Sequence, residues 1–311
     1  MERPKIIIIT GPTATGKTAV GALLAKTLNG EVVSADSMQV YKYMDIGTAK
    51  PAESERLGVS HHMIDIVDPR EDYSVSRYVS DASLCIDDIL RRGKTPILVG
   101  GTGLYIDSLL SGRFFAARGD PALRRALERE YDEAGGEAML RKLREIDPVS
   151  SGKLYANDKK RIVRAFEVYK TTGKTIAQHD LETKAVPPRY DAVKTAFMFS
   201  DRAELYRHID RRADTMMSRG LENEVRGLLD MGVTSGSTSM QAIGYKEITG
   251  AVLGVCDMAS AVENIKMESR RFAKRQLTWL RRDESVKWII WEKDPDPDTG
   301  LMYIFRLIAC S

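Results

Sequence analysis

The chain has 311 residues, 43% of them hydrophobic and 29% charged, which is ordinary for a globular protein of one large domain or two modest ones. The apolar run near the N-terminus is too short for a signal peptide or a membrane span. Three scattered cysteines and the absence of a C-x-x-C pair argue against a disulfide framework and against a zinc site of that type, so a cytoplasmic location is expected. The net charge of +3 does not by itself indicate nucleic-acid binding.

A phosphate-binding motif follows the first predicted strand. The apolar run at 6–10 leads into a G-x-x-x-x-G-K-[ST] pattern, and helix-like periodicity over 17–28 comes directly after it. The glycines let backbone N–H groups surround a phosphate, Lys17 adds a positive charge, and the Thr18 hydroxyl can ligate Mg²⁺. The strand before the motif and the helix after it argue against a chance match in a turn. The predicted di- or triphosphate site consists of Gly11, Thr13, Ala14, Thr15, Gly16, Lys17 and Thr18.

The next two predicted strands end in different residue types. The strand at 31–34 leads to Asp36, whereas the strand at 96–99, after a helix at about 75–92, leads to Gly-Gly-Thr-Gly and a helix from 103. A nucleoside-triphosphate hydrolase normally has an Asp after such a later strand to hold Mg²⁺, and no Asp is found there. A carboxylate that follows a strand beside the phosphate motif faces the ligand crevice of an open α/β sheet. Asp36 is therefore a candidate site residue, with an ordinary turn or helix-capping Asp as the alternative.

The order of elements predicts an α/β fold: a P-loop NTPase-like parallel sheet core with an all-helical insertion domain. Strands alternate with helices over residues 1–112, the pattern over 113–190 is helical, and the core resumes over 191–311. Beyond residue 112 the predicted elements are helices at 121–146 and 158–171, a strand at 193–199, helices near 202–231, 240–253 and 258–282, a strand at 286–291 and a loop at 292–300.

Basic residues are concentrated in two blocks. From Arg113 to Arg189 there are 17 Lys and Arg against 12 Asp and Glu, and from Lys266 to Lys287 there are 8 against 3. A protein that binds a polyanion has its charge gathered in this way. Solvated helix faces are the alternative, and charge alone does not decide between them.

Nine motifs in this order resemble those of the tRNA dimethylallyltransferases, which isopentenylate an adenosine adjoining the anticodon. The resemblance covers nearly the whole chain and is closest to the bacterial type, because no C-terminal zinc-finger motif is found. Met38 departs from the family, which usually has Arg at that position. The motifs are GPTATGKT (11–18), SADSMQVY (34–41), DIGTAKP (45–51), HHMID (61–65), VGGTGLY (99–105), NDKKRIVRAFEV (157–168), SRGLENEV (218–225), QAIGYKE (241–247) and RRFAKRQLTWLRR (270–282).

The resemblance implies the reactants and three catalytic residues. Dimethylallyl diphosphate is the expected donor, so that the motif at 11–18 holds a diphosphate leaving group with Mg²⁺ at Thr18. Asp36 is the expected acceptor of the N6 proton, Arg219 stabilises the leaving group, and Thr102 contacts the target nucleotide, which must leave its stack. Without the resemblance, Arg219 fits a basic residue at a helix C-terminus and Thr102 a helix cap.

A tRNA anticodon stem-loop is the expected partner, bound by a monomer without membrane contact. Arginines interleaved with aromatic residues in the late basic helix suit unpaired bases, and the basic segment near 160 suits phosphates. Leu277 and Leu280 are predicted to lie in the core. The predicted tRNA-binding residues are Asp36, Ser37, Met38, Gln39, Thr102, Arg124, Lys160, Arg161, Ile162, Val163, Arg164, Arg271, Arg275, Gln276 and Trp279.

His61 and His62 do not form a convincing metal site, because no further His or Cys ligand lies nearby in the sequence. Hydrogen bonding is the expected role of both rings, and Asp65 and Asp68 are likewise expected to be structural. Three other functions stay open: a P-loop kinase or hydrolase, an enzyme that isopentenylates free AMP or ATP, and an RNA-binding module. The basic insertion and the motif at 270–282 favour a tRNA acceptor over a mononucleotide.

Overall fold

A computed structural model describes residues 3–112 and 120–309 of the chain. Contacts divide it into two compact units, of which the first comprises Met1–Leu110 and Arg189–Ser311 and the second Ser111–Pro188. Within the described ranges no helix is long and apolar enough to cross a membrane.

The first unit contains a parallel sheet, as predicted. In the described part of the chain the sheet has six strands in the order β3-β2-β4-β1-β5-β6, and neighbouring strands run parallel throughout. The two residues of β3 are too few to give a periodic signal, which is why the sequence did not predict this strand. The strands are β1 (Lys5–Thr10), β2 (Gly30–Ser34), β3 (His61–His62), β4 (Thr95–Val99), β5 (Asp191–Phe199) and β6 (Lys287–Trp291).

Parallel strands need crossover connections, and helices provide them. In chain order the helices are α1 (Lys17–Thr27), α2 (Val75–Arg91), α3 (Gly103–Ser111), α4 (Pro121–Ala134), α5 (Gly136–Ile146), α6 (Pro148–Ser151), α7 (Lys159–Thr172), α8 (Ile176–Lys184), α9 (Arg202–Ser218), α10 (Leu221–Asp230), α11 (Tyr245–Val252), α12 (Met258–Leu280) and α13 (Pro297–Ala309). Short 3₁₀ turns lie at Glu53–Arg56 and Ser239–Gln241.

Both faces of the sheet are covered. On β1, Ile6 and Ile8 pack into a core with α2, α3 and α11, whereas Ile7 and Ile9 pack into a second core with α1 and α13. All four isoleucines are buried, which explains why β1 is a continuous apolar run instead of an alternating one. The helices on the two faces are the crossovers that connect the parallel strands. Because all strands run in the same direction, their carboxyl ends lie together on one side of the sheet.

Two stretches predicted as helical are each divided at a glycine. Within 202–231, Gly220 adopts φ +96°, a left-handed conformation that ends α9 and starts α10, in agreement with the interpretation of Arg219 as a residue at a helix C-terminus. Gly135 (φ +80°) divides the helix predicted over 121–146 in the same way. The helix predicted over 240–253 begins only at Tyr245, and the loop predicted at 292–300 ends early because α13 begins at Pro297.

The second unit is helical in its described residues and has its own core. Leu127 of α4, Met139 of α5 and Phe166 of α7 are buried together in it. Asp120 caps α4 by accepting a hydrogen bond from the backbone N–H of Ala122, as expected for Asp before a Pro-initiated helix. The short helices α6 and α8 were not predicted from the sequence.

Candidate active site

A cavity of about 340 Å³ opens in the first unit where β1, β2 and β4 end. Such a position at the carboxyl ends of parallel strands is where ligands bind in open α/β sheets. Ten of the predicted site residues line the cavity: Thr13, Lys17, Thr18, Asp36, Ser37, Met38, Gln39, Thr102, Arg275 and Gln276. Its wall is completed by residues of α9 and α12 that the sequence did not point to: Ile209, Arg212, Ala213, Met216, Ile265 and Ser269.

The loop between β1 and α1 has free backbone donors. The N–H groups of Ala14, Thr15 and Gly16 form no hydrogen bond with any described residue. Gly11 (φ +137°) packs so closely that a Cβ would lie 2.5 Å from the carbonyl oxygen of Phe197. Thr15 is buried and donates its hydroxyl to the Pro12 carbonyl (2.8 Å), so it shapes the loop. Free N–H groups at the start of a helix are suited to an anion such as a diphosphate.

Lys17 adds a positive charge beside these donors. Its Nζ donates to the Pro12 carbonyl at 2.6 Å. Burial, followed by the positive charge of Arg212, lowers the pKa of Lys17 to about 7, against a smaller opposing effect of Asp36. The ammonium is therefore poorly compensated in the free protein, so this end of the cavity is suited to an anion.

One oxygen of the Asp36 carboxylate is held and the other is free. Oδ1 accepts hydrogen bonds from the backbone N–H groups of Met38 (2.9 Å) and Gln39 (3.4 Å). Oδ2 receives no hydrogen bond from the described residues, although the side chain is half-buried on the cavity wall. The turn role that the sequence left open as an alternative is thus present, and Oδ2 still has the capacity to accept a proton from a ligand.

The turn after β4 is tied to the turn after β2. The Oγ1 atom of Thr102 accepts a hydrogen bond from the backbone N–H of Ser37 at 3.1 Å. Gln39 is anchored on both sides of its amide, since Oε1 accepts from the Ser34 hydroxyl (2.9 Å) and Nε2 faces the carbonyls of Thr48 and Ala49 (3.4 Å each). Gln39 therefore contributes mainly shape to the cavity wall.

Arg212, and not Arg219, is the α9 arginine in the cavity. Arg219 caps the C-terminus of α9, is exposed and does not line the cavity, so the prediction of Arg219 as the leaving-group residue is corrected. Arg212 is half-buried, forms no ion pair or hydrogen bond with the described residues, and has its pKa lowered by burial against the opposing charge of Asp36. A sequence signal existed: Arg212 is a charged residue in the middle of α9 on the helical face of Ile209, Ala213 and Met216.

Two of the predicted tRNA contacts on α12 are structural. Gln276 is buried and donates from Nε2 to the Gly101 carbonyl at 2.9 Å. Trp279 donates from Nε1 to Asp107 (2.7 Å), and its ring packs against Gly103, where a Cβ would lie 2.4 Å away. The Gln276 amide and the Trp279 indole N–H are thus engaged in contacts within the protein. Burial of Leu280 confirms its predicted place in the core.

The two other predicted tRNA contacts on α12 are exposed arginines. Arg271 is exposed and pairs with Glu268 at 2.6 Å. Arg275 is exposed, and its guanidinium lies 5.7 Å from the centre of the Phe272 ring. Both residues of this arginine–aromatic pair line the cavity, so its rim carries a cation and a flat apolar surface.

In the second unit, the predicted tRNA contacts include both exposed and buried residues. On α7, Lys160 and Arg161 are exposed, and Arg164 pairs with Glu167 at 2.7 Å. On α4, Arg124 pairs with Glu128 at 3.1 Å. Ile162 and Val163 are fully buried in the core of this unit. Their assignment as tRNA contacts is corrected, because the helical turn that exposes their charged neighbours directs them inward.

Thr18 is the residue in the cavity that was predicted to ligate a cation. The Thr18 hydroxyl lies on the wall and forms no hydrogen bond with the described residues. No group of three or more His, Cys, Asp or Glu side chains in those residues is arranged to hold a metal ion. Mg²⁺ commonly uses one or two protein ligands together with substrate phosphates and water, so this environment fits it.

The histidines have hydrogen-bonding roles, as predicted. Nδ1 of His61 lies 2.9 Å from the Val59 carbonyl oxygen, and Nε2 of His62 lies 2.7 Å from the buried carboxylate of Glu31. Asp65 pairs with Lys50 at 2.5 Å, and Asp68 pairs with Arg70 at 2.7 Å. The acidic residues are thus structural, in agreement with the sequence.

Comparisons with known proteins agree with one another. The sequence profile of the IPP transferase family matches residues 39–283, and that of the isopentenyl transferase family matches residues 4–67. A tRNA dimethylallyltransferase from Acetivibrio thermocellus is 47% identical over 285 residues, and one from Carboxydothermus hydrogenoformans is 49% identical over 285 residues; in each case 91% of both chains is covered.

Solved structures show the same similarity. The full-length tRNA isopentenylpyrophosphate transferase from Bacillus halodurans matches with a TM-score of 0.73 and 40% identity, covering 99% of this chain and 96% of that one. A eukaryotic dimethylallyltransferase acting on tRNA matches with a TM-score of 0.83 and 28% identity, covering 98% of this chain and 80% of the other.

Proposed function

Because the chain belongs to the IPP transferase family, we propose that it transfers a dimethylallyl group from dimethylallyl diphosphate to N6 of an adenosine adjacent to the anticodon of tRNA. One observation carries the proposal. A single cavity combines free backbone donors and cations at one end with an open carboxylate oxygen and an apolar wall. These are the groups that an anionic leaving group, a proton acceptor and a prenyl chain need.

The leaving group binds at the loop between β1 and α1. The free N–H groups of residues 14–16, the Lys17 ammonium and the Arg212 guanidinium are suited to take up negative charge as the bond between C1 and the diphosphate oxygen breaks. Thr18 would hold a Mg²⁺ ion, which supplies further charge neutralisation on the diphosphate. Because these donors are already positioned, little reorganisation is required during the reaction.

Asp36 is suited to act on the nucleophile. As N6 of the adenine forms its bond to C1, the nitrogen must lose a proton, and the free Oδ2 of Asp36 is its acceptor. The two backbone hydrogen bonds on Oδ1 fix the orientation of the carboxylate. Thr102 and Ser37, joined at 3.1 Å, form the adjoining wall and contact the target nucleotide.

The dimethylallyl chain lies against the apolar residues of the cavity. Ile209, Ala213 and Met216 of α9 and Ile265 of α12 provide this wall. Such residues exclude water from the reacting carbon, which favours transfer to the base over hydrolysis. Since the cavity is formed within one copy of the first unit, a monomer suffices for the reaction.

The exposed basic residues are suited to bind the tRNA backbone. Lys160 and Arg161 in the second unit, and Arg271 in the first, are exposed. Arg275 and Phe272 at the cavity rim offer a stacking surface for a base that has left its stack. An anticodon loop presents both phosphates and unpaired bases, whereas a free mononucleotide requires neither group of residues.

A transfer assay with two acceptors tests the proposal. The protein is incubated with dimethylallyl diphosphate and Mg²⁺, together with either unmodified tRNA that has adenosines beside its anticodon or AMP, and the products are analysed by mass spectrometry. We expect one added dimethylallyl unit on the tRNA, mapped to an adenosine next to the anticodon, and none on AMP. Transfer to AMP alone, or release of phosphate from ATP without transfer, would contradict the proposal.

A further inference from the structure

Glu224 of α10 binds a loop that lines the cavity, although it does not line the cavity itself. Its carboxylate accepts hydrogen bonds from three consecutive backbone N–H groups, those of Asp45 (2.9 Å), Ile46 (2.9 Å) and Gly47 (3.2 Å). A fourth hydrogen bond comes from the hydroxyl of Tyr245 at 2.5 Å. Four donors converging on one carboxylate form a nest of the kind that binds anions, and here the anion is a side chain. We call Glu224, Tyr245 and the three N–H groups the Glu224 clamp.

Close packing around Tyr245 fixes the positions of the groups in the Glu224 clamp. Tyr245 is fully buried, and a Cβ on Gly47 would lie 2.4 Å from its ring. Burial, together with the Glu224 charge, raises the pKa of Tyr245, so the phenol stays a neutral donor. A second anchor lies nearby, because the buried Lys50 donates to Asp45 at 2.8 Å. The backbone from 45 to 50 is therefore held at both ends.

The loop held by the clamp leads to the reacting groups. Gly47, Thr48 and Ala49 line the cavity, and the carbonyls of Thr48 and Ala49 face Nε2 of Gln39. The backbone N–H of Gln39 in turn faces Oδ1 of Asp36. A continuous set of hydrogen bonds thus connects Glu224 to the carboxylate that accepts the proton.

We infer that Glu224 is a positioning residue for the transfer reaction, because it holds the 45–49 loop against the cavity and thereby fixes Gln39 and Asp36. The inference rests on the proposed function, whose reaction it serves. The inference also gives a role to three motifs that contain no predicted site residue other than Arg219. These motifs are DIGTAKP, SRGLENEV and QAIGYKE, and each contributes a residue to the Glu224 clamp.

Glu224→Gln is the variant that tests the clamp. The amide has the size of the carboxylate but presents an –NH₂ group to converging donors, so the 45–47 backbone loses part of its anchorage. We expect kcat to fall by roughly tenfold or more, because small displacements of reacting groups have effects of this size. Pyrophosphate affinity should stay within about twofold of wild type, since the loop at 11–18 is not part of the clamp. Hydrogen exchange in a peptide spanning 45–49 should accelerate by roughly tenfold.

Glu222→Gln is the matched control on the same helix. Among the described residues Glu222 pairs only with Arg226, at 2.7 Å on the surface, so kcat and hydrogen exchange of Glu222→Gln should match the wild type. Tyr245→Phe removes a single donor of the clamp and should show smaller changes in the same direction; it decides the question if Glu224→Gln does not fold. Glu224→Asp keeps both acceptor oxygens and should recover part of the lost kcat.

Rates are expressed per active site, with sites counted by pyrophosphate binding, so that loss of folded protein alone does not lower kcat. Wild-type kcat in Glu224→Gln, unchanged exchange over 45–49, or a parallel loss of kcat and pyrophosphate affinity would overturn the inference. If the wild-type protein itself transfers nothing to tRNA, the proposed function fails. If the wild type transfers the dimethylallyl group to tRNA and Glu224→Gln has the same kcat, only the positioning role of Glu224 fails.

Discussion

The side chain of Gln276 and the backbone N–H of Thr13, 263 residues apart in the chain, form a hydrogen bond of 2.9 Å. The same amide donates from Nε2 to the carbonyl of Gly101 at 2.9 Å. One buried side chain of α12 thus holds the phosphate-binding loop and the turn after β4 at a fixed separation. Both segments border the cavity, so its shape depends on this residue.

Replacement of Gln276 should affect the diphosphate end of the cavity. Gln276→Met keeps the length but leaves the half-buried N–H of Thr13 and the buried carbonyl of Gly101 without this partner, and the free energy of unfolding should fall by about 2 kcal/mol. We expect pyrophosphate affinity, measured by calorimetry, to drop by roughly tenfold as the Thr13 segment loosens. Thr278→Ser, on the exposed side of the same helix, serves as the control. Unchanged pyrophosphate affinity in Gln276→Met would show that the bridge does not shape the loop.

Arg212 and Arg219 provide a matched pair of substitutions on one helix. Arg212 lies on the cavity wall without an ion-pair partner among the described residues, whereas Arg219 is exposed at the helix end. Removal of a charge-stabilising donor lowers turnover by roughly 100-fold, which is the expected effect of Arg212→Gln on kcat. Arg219→Gln should stay within about twofold of wild type. The opposite order of the two variants would reinstate Arg219 as the leaving-group residue.

Diphosphate binding should depend on the protonation of Lys17. With a pKa of about 7, lowered chiefly by burial, the free ammonium is charged below pH 7 and increasingly neutral above it. An anion binds the charged form, so the contribution of Lys17 to the affinity should be highest below pH 7 and fall above it, with a slope that approaches about one log unit per pH unit. Calorimetry with pyrophosphate between pH 6 and pH 9 measures this dependence.

Pyrophosphate itself gains negative charge as the pH rises, and this changes its affinity independently of Lys17. The variant Lys17→Met, which has no charge at this position, measures that effect alone. The ratio of wild-type to Lys17→Met affinity isolates the lysine. A ratio that is constant with pH would mean that Lys17 keeps its proton throughout this range.

Charge-neutral substitutions in the second unit should change the salt dependence of tRNA binding. Each lost phosphate contact lowers the log–log slope by about 0.7 to 0.9, so Lys160→Gln with Arg161→Gln should lower it by about 1.5. The buried neighbour Ile162 provides the contrast: Ile162→Val should lower the stability by about 1 kcal/mol and leave the slope unchanged. An unaltered slope in the double variant would assign Lys160 and Arg161 to a solvated face.

Local sequence predicts the individual strands other than β3, and the phosphate loop, because each of these segments is specified by residues close together in the chain. The run at Ile6–Ile9 specifies a strand buried on two faces, and the motif from Gly11 to Thr18 specifies its own backbone. Asp36 is also accessible to prediction, because a polar residue directly after a buried strand must lie at the edge of the sheet.

Local sequence does not predict the roles of the α12 residues. Gln276 and Trp279 look like nucleic-acid contacts in a basic, aromatic segment, and only their partners Thr13, Gly101 and Asp107 show that they are structural. Those partners lie far away in the chain, and no local pattern encodes them. Arg212 was missed for a different reason: nearby Arg219 lies in a more distinctive motif.

Asp36 is the residue on which the account depends most directly. Single-turnover transfer from dimethylallyl diphosphate to tRNA should be compared between the wild type and Asp36→Asn, which keeps the size of the side chain but does not accept a proton. We expect the transfer rate to fall by roughly 10²- to 10⁴-fold, while the affinities for tRNA and pyrophosphate stay within about twofold of wild type. Transfer at the wild-type rate, or loss of both affinities together with the rate, would contradict the assignment of Asp36 as the proton acceptor.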